Sequence, residues 1–367
     1  MGVGMRWFWK WVLLVVVASC FVGVGANAES WRGVHVMAWG PAGGDEGLPV
    51  LKRAIDEVLV PLGMNVLVYE VGYNFEFESH PDMRFDKAMT KAAARDLAQF
   101  CREREIRLIP QFNCLGHQSW VKGNMIFPLM ANHPEFEEVP DFPEEKRAKT
   151  LKNWCPSNPD VYPIVYDLLD ELADTFQSDA IHVGMDEVLV FASPKCPRCA
   201  GKNPAELFAK AVNDLHKHIV GQRKLTMLMW GDRLLDKADK NSGDGWEASD
   251  KGTAPAIDLI PKDIIVCDWH YSMQTDYPSV RLFQEKGFRV WPASWKDSKA
   301  ALAYVECAHR EPSEKMLGYL ATSWVIRSGD FAQALLGEGD PEALKDRAQP
   351  AADSAKACLK WMQENGK

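Results

Sequence analysis

Apolar positions along the chain follow two periods. Short runs rich in Val, Ile, Leu and Trp recur as GVHVMAW from Gly33, NVLVYEV from Asn65, IRLIPQF from Ile106 and AIHVG from Ala180. Four more follow: KLTMLMW from Lys224, DIIVCDW from Asp263, FRVWPAS from Phe288 and MLGYLATSW from Met316. Between them, segments such as LPVLKRAIDEVLVPLG, KAAARDLAQFCREREI, DVYPIVYDLLDELADTFQ and PAELFAKAVNDLHKHIV space apolar residues three and four apart. The first pattern predicts strands and the second helices with one buried face. Eight strands in alternation with helices, their apolar character nearly continuous as in parallel strands covered on both faces, predict a single (β/α)8 barrel of the TIM type. A doubly wound open sheet would carry a glycine-rich phosphate loop after its first strand, and HVMAWGPAGGDEG lacks that GxGxxG spacing. No internal repeat or low-complexity linker divides the chain, so one domain is expected over residues 29–367.

Residues 1–28 read differently. Arg6 and Lys10 flank an apolar run that closes on the small residues Ala26, Asn27 and Ala28, the pattern of a secretory signal peptide. A secreted or periplasmic location is therefore expected. The stretch VASC ending at Cys20 also resembles a lipoprotein signal, so no membrane attachment is expected unless Cys20 is lipidated. Removal of the leader takes away two cations and moves the formal net charge from −9 to −11. An acidic chain without basic runs argues against nucleic acid as a partner. Hydrophobic residues at 47% and charged residues at 25% fit a folded core rather than a disordered chain.

Barrel enzymes gather their chemistry at the carboxyl ends of the strands. Glu70 and Tyr73 follow strand two, and Asn113, His117 and Trp120 follow strand three. Asp186 and Glu187 follow strand four. Strands five to eight each end at or beside a tryptophan: Trp230 before Asp232, Trp269 before His270 and Tyr271, Trp295, and Trp324. Aromatic walls beside carboxylates suit a sugar, whose C–H faces pack on rings while its hydroxyls bond charged groups. The expected partner is thus a carbohydrate.

The stretch HVGMDEV resembles the His-x-Gly-Gly-Asp-Glu signature of the glycoside hydrolase family 20 β-N-acetylhexosaminidases. The resemblance extends to WRGVHV, to NVLVYEV, to IRLIPQFNCLGHQ, and to the helix that leads into strand four. It implies an exo-acting, retaining enzyme that removes terminal N-acetylglucosamine or N-acetylgalactosamine, using the substrate's own acetamido carbonyl as nucleophile. Glu187 would be the general acid and base, and Asp186 would stay ionised and orient the acetamido group. The neighbouring anion would help keep Glu187 protonated. Arg32 would bond sugar hydroxyls, His117 would steady the acid, and Trp230, Trp269 and Trp324 would wall the acetamido sugar. Asp232 would hold a sugar hydroxyl or cap a helix. No cofactor and no metal are implied.

Several positions depart from that pattern. Met185 replaces the second glycine of the signature and would narrow the approach to the acid pair. Gln111 and Asn113 stand where the family has glutamate and aspartate. The family's His-x-x-Asp-Asp stretch after strand two is absent, so Glu70 is the candidate relay carboxylate for His117. Tyr271 is the substitute for the tyrosine that bonds the acetamido oxygen. Two alternatives stay open: a two-carboxylate β-glycosidase, which needs a nucleophile that VWPASWKD does not offer after strand seven, and a non-catalytic barrel that binds N-acetylated sugars. His182 is expected in the core. The CPRC stretch, Cys196 to Cys199, is expected as a disulfide or as free thiols, because a lone CxxC is weak evidence for zinc.

Overall fold

The computed structural model describes residues 30–38, 44–120, 125–139, 152–239, 246–310 and 313–365, together with Met1. The leader, Cys20, and Trp39 at the end of the first predicted strand lie outside them. Eight strands form: β1 (Trp31–Met37), β2 (Val66–Glu70), β3 (Arg107–Cys114), β4 (Ala180–Gly184), β5 (Thr226–Trp230), β6 (Ile265–Trp269), β7 (Arg289–Ser294) and β8 (Gly318–Ala321). Each pairs in parallel with the next, and β8 returns to β1, so the sheet closes in sequence order. All eight runs read from the sequence are these strands. None of the helices among the described residues is long and apolar enough to cross a membrane.

Period two splits the strand residues between two cores. Val66 and Val68 of β2, Leu228 and Trp230 of β5, Ile265, Cys267 and Trp269 of β6, Trp291 and Ala293 of β7 and Leu320 of β8 pack together inside the barrel. Their neighbours Leu67, Tyr69, Ile181, Val183, Met227, Met229 and Val266 belong to the larger layer between sheet and helices. The interior has no room to spare. A Cβ on Gly33 would stand 2.2 Å from the Trp291 ring, so glycine there is what lets the indole fill the barrel.

The helices supply the outer layer by the periodicity that predicts them. In Val161–Phe176 the buried side chains include Val161, Val165, Leu168, Leu169, Leu172 and Phe176, and the helix stops where Gln177 turns left-handed at φ 50°. Thr90, Asn203 and Asp297 cap three helices by accepting backbone N–H groups.

Register along the strands also sets height. Arg32 lies one residue into β1, at the amino end. Its guanidinium donates to the Gly63 and Ser30 carbonyls, and its backbone N–H to Asn65 Oδ1 at 2.8 Å. Five residues of extended chain, about 16 Å, separate it from Met37 at the other end. The role expected for Arg32 on sugar hydroxyls is therefore not one its position allows; it tethers the barrel bottom. Trp230 pairs in register with Cys267, two residues below Trp269, and is fully buried. It packs on His182 with ring centroids 4.5 Å apart and on Trp324 at 5.2 Å. Trp230 is a floor beneath the strand-end cavity, not a wall of it.

Candidate active site

A cavity of about 240 Å³ opens at the carboxyl ends of the strands, lined among others by Glu70, Asn113, His117, Asp186, Glu187, Trp269, Tyr271, Trp295 and Trp324. Its size, below the usual range of about 300–1,000 Å³ for ligand pockets, suits one sugar ring better than an extended chain. Of the residues given a catalytic or sugar-binding role in the sequence, all but Arg32, Trp230 and Asp232 line it. Tyr73 and Trp120 line it too, with Asn74, Phe85 and Phe127, which sequence reasoning did not select. Phe127 and Phe85 are reached through a long excursion after β3 and a loop after β2 whose course no periodicity encodes.

Asp186 and Glu187 stand just past β4, where the chain leaves the extended conformation. Gly184, Met185 and Glu187 have φ of 67°, 76° and 48°, and Leu115 and His117 on the neighbouring loop have 64° and 54°. Non-glycine residues in this region each cost on the order of 1–3 kcal/mol and persist only where their surroundings fix them. Here they are fixed. The Glu187 backbone N–H donates to Asp232 Oδ2 at 3.0 Å. Gln118 Nε2 donates to the Asn113 and Gly116 carbonyls at 2.9 and 2.8 Å, and its Oε1 accepts from the Tyr73 hydroxyl at 2.6 Å. Met185 itself is fully buried and absent from the cavity lining. The expected narrowing by its side chain does not occur, since the left-handed turn sends it inward.

His117 bridges the two acids. Its Nε2 lies 3.0 Å from Asp186 Oδ2 and 3.3 Å from Glu187 Oε2, although its N–H aims squarely at neither. Burial disfavours the imidazolium, but the two carboxylates outweigh burial and hold His117 well above its ordinary value. In return, Asp186 is held below the usual carboxylate range: burial would raise it, and the His117 charge prevails. The like-charge contact between Asp186 and Glu187 is thus relieved by a shared cation. Asp186 Oδ1 is left without a partner.

Glu70 is not the relay for His117. Its carboxylate bonds His35 Nε2 at 3.0 Å, Gln111 Nε2 at 3.1 Å and Asn113 Nδ2 at 2.9 Å. These three sit on β1 and β3 at positions that face the barrel interior, and together they fix Glu70 at the cavity edge. Gln111 and Asn113, two of the departures from the family pattern, therefore form one amide–carboxylate network with Glu70. His182 is buried as expected, with Nδ1 accepting the Gly184 N–H at 3.1 Å and burial lowering it to about 3.

Asp232 is buried behind the acids rather than open to a sugar. Its Oδ2 accepts from Arg233 Nε at 2.6 Å, with both side chains 1% exposed, and its Oδ1 accepts from Trp269 Nε1 at 3.3 Å. Burial raises Asp232 to about 6 against the opposing pull of Arg233. Arg233 is anchored by the Trp246 and Ala248 carbonyls at 2.7 and 3.1 Å. Sequence reasoning missed Arg233, though it follows Asp232 directly.

Tyr271 stacks on Trp269, ring centroids 4.8 Å apart, and meets Trp295 edge-on at 5.8 Å. Burial first, then the Glu187 and Asp186 charges, push its phenol well above the ordinary value, so it stays a hydroxyl donor. Behind it lies a second buried cluster. His270 Nδ1 is 2.6 Å from Glu247 Oε2 and Nε2 is 2.8 Å from Ser279 Oγ, while Ser279 and Tyr304 each donate to Asp268 Oδ2 at 2.7 Å. The other Glu247 oxygen accepts the Tyr271 N–H at 2.9 Å.

Burial opposes the His270 cation, but Asp268 and Glu247 raise it from 6.5 to about 10; Asp268 is held below 3.8 despite burial. A raised histidine stabilises the fold fully below its unfolded value and progressively less as pH climbs to its folded one; a depressed carboxylate loses its contribution as pH falls. The cluster should therefore contribute most between about pH 4 and 6.5 and fade toward pH 10. Thermal midpoints measured across that range for the parent and for His270→Gln should converge on the alkaline side. Parallel curves would remove His270 from the account.

A closed parallel barrel with adjacent carboxylates and tryptophan walls at its carboxyl end defines a carbohydrate-processing barrel of the glycoside hydrolase kind. The comparisons with known proteins narrow this. The catalytic domain of glycosyl hydrolase family 20 matches residues 67–326, and the chain belongs to that family. It is 32% identical over 113 residues to a β-hexosaminidase of Akkermansia muciniphila, which covers 30% of this chain and 21% of the relative. It is 24% identical over 220 residues to a β-hexosaminidase of Vibrio furnissii, covering 59% and 30%. The matched region thus spans less than a third of these curated relatives. Among solved structures, a Flavobacterium johnsoniae chitobiase superposes with a TM-score of 0.63 at 18% identity, over 89% of this chain and 48% of that one. An exo β-N-acetylglucosaminidase of Vibrio harveyi, in complex with N-acetylglucosamine, gives 0.57 at 15% identity, over 90% and 54%. At these identities the structures speak to the fold.

Proposed function

We propose that the chain is an exo-acting, retaining β-N-acetylhexosaminidase working by substrate assistance. The observation that carries the reading is the arrangement at Asp186. Its Oδ2 is paired to His117, while Oδ1 is an ionised acceptor without a partner beside Glu187. An acetamido N–H is a donor suited to that oxygen. Held there, the group brings its carbonyl oxygen against the anomeric carbon, Asp186 stabilises the positive charge of the oxazolinium, and the Tyr271 hydroxyl steadies the acetamido oxygen. Glu187 gives its proton to the glycosidic oxygen and then takes one from the attacking water. Trp269, Trp295 and Trp324 pack against the ring, and the unpartnered Trp295 Nε1 is a donor for a sugar oxygen.

A two-carboxylate glycosidase would need another free carboxylate across the sugar, with the pair about 5–5.5 Å apart for retention. Glu70 is the remaining acid among the described lining residues, and both its oxygens are engaged by His35, Gln111 and Asn113. Hydrolysis of nitrophenyl 2-acetamido-2-deoxy-β-glucoside should therefore exceed that of the plain β-glucoside by at least about 10³-fold in kcat/KM. Equal rates would favour Glu70 as nucleophile, and turnover of neither would favour a sugar-binding barrel. We also infer export with cleavage after Ala28, which amino-terminal sequencing of the mature chain checks; a blocked, lipidated Cys20 would overturn it.

A further inference from the structure

Three of the cysteines meet. Cys155 Sγ lies 3.5 Å from Cys196 Sγ and 3.3 Å from Cys199 Sγ, all three side chains are buried, and one ligand atom from each falls within 4.8 Å of the others. Cys196 and Cys199 are the CPRC stretch on the loop that carries Glu187 out of β4. Cys155 comes from 41 residues earlier, which is why the pair read alone gave no sign of a third partner.

We propose that Cys155, Cys196 and Cys199 bind a zinc ion that ties the excursion after β3 to the loop after β4. Tetrahedral zinc with Zn–S bonds of about 2.3 Å sets sulfurs about 3.8 Å apart, close to the separations seen. No single pair is singled out as a disulfide would require: Cys155 is almost equally near both partners, and the eight described cysteines are all unbonded. The CPRC turn has the form of a metal knuckle. Cys199 N and Ala200 N both donate to the Cys196 carbonyl, at 3.2 and 2.9 Å; burial holds the Cys196 thiol above its ordinary value, against the Arg198 and Cys199 amides that lie against Sγ.

A second observation comes from beside the cluster. Glu138, 1% exposed, stands close enough to Cys199 for its charge to push that thiol up. It accepts from Ser193 N at 2.8 Å and Asn153 Nδ2 at 2.9 Å, and no cationic side chain among the described residues is paired with it. Burial pushes the Glu138 carboxyl up to about 7, and its hydrogen-bond donors are neutral groups that bring no compensating charge. A dication held by three thiolates would supply one, and binding would release the thiol protons to solvent. The fourth coordination position falls to a solvent oxygen or to Glu138.

The clamp would act near the acids. Trp154 N donates to the Leu115 carbonyl at 3.1 Å, two residues before His117, so the ion would join the two loops that carry His117 and Glu187. The test is metal analysis of the full chain purified without chelators, followed by exchange into cobalt. One zinc per chain, lost in Cys155→Ser and Cys199→Ser, and a cobalt form with a thiolate-to-metal charge-transfer band are expected. If those variants fail to fold, the cobalt spectrum of the parent decides. A metal-free chain whose three thiols all alkylate would overturn the proposal, as would a disulfide peptide joining Cys155 to Cys196 or Cys199. Zinc retained in the cysteine variants, with a cobalt spectrum lacking the thiolate band, would place the ion at His117, Asp186 and Glu187 and overturn it too.

Discussion

Glu187→Gln should lower kcat on an alkyl 2-acetamido-2-deoxy-β-glucoside by about 10²–10⁴-fold, the range that a positioned general acid contributes. The amide keeps the shape of the carboxyl and the turn at φ 48°, so KM should change little. The loss should depend on the leaving group. A nitrophenolate departs with little help from a proton, so its release should be impaired far less than that of an alcohol. Asp186→Asn should behave differently, because the orientation of the acetamido group is needed whatever leaves. It should also lower the His117 value, since the Asp186 carboxylate is the first of the charges that raise it. Kinetics on the two substrates, with both variants, separate the roles. Full activity of Glu187→Gln toward the alkyl glycoside would sink the assignment.

Arg233→Met should destabilise the fold by about 3–5 kcal/mol, the usual consequence of breaking a buried ion pair by removing one partner. Arg233 and Asp232 are each 1% exposed and 2.6 Å apart. Without the guanidinium, Asp232 would remain as a buried acid close to Asp186 and Glu187, whose charges already push it upward after burial. It would take up a proton, and one proton cannot serve every contact it now accepts. The Glu187 N–H and the Trp269 indole N–H both rely on Asp232, so activity should fall with stability. Arg233→Lys should not restore it, because a single ammonium cannot reach Asp232 and the Trp246 and Ala248 carbonyls together. Urea midpoints for the three proteins settle the matter; a methionine variant as stable as the parent would show the pair to be dispensable.

The barrel was legible because its signals are local. Strand period, helix period and their alternation are all contained in windows of a few residues, and each of the eight runs became a strand. Asp186, Glu187, His117, Tyr271 and three of the four strand-end tryptophans were legible for a related reason: whatever follows a barrel strand lies near the mouth. Height within the barrel was not legible. Trp230 ends β5 as Trp269 ends β6, yet the stagger between strands puts the first two residues lower. Arg32 failed on the same ground, being at the wrong end of β1. Partners across long loops were also hidden. Nothing near Glu70 announces His35, and nothing near the CPRC stretch announces Cys155, since these pairings are set by the closure of the whole sheet.

Consecutive residues of an extended strand look to opposite sides, so a pair like Asp186 and Glu187 inside β4 would send one acid into the barrel and the other under a helix. The left-handed steps at Met185 and Glu187 undo that alternation and turn both neighbours toward one chamber. Adjacency in sequence thereby becomes adjacency in space, and the spacing between the two acids is written into the backbone itself. Deleting one residue between Gly184 and Asp186 would leave the composition of the site almost untouched and yet dissolve it, because the turn, and not the strand, is what makes the two acids face the same guest.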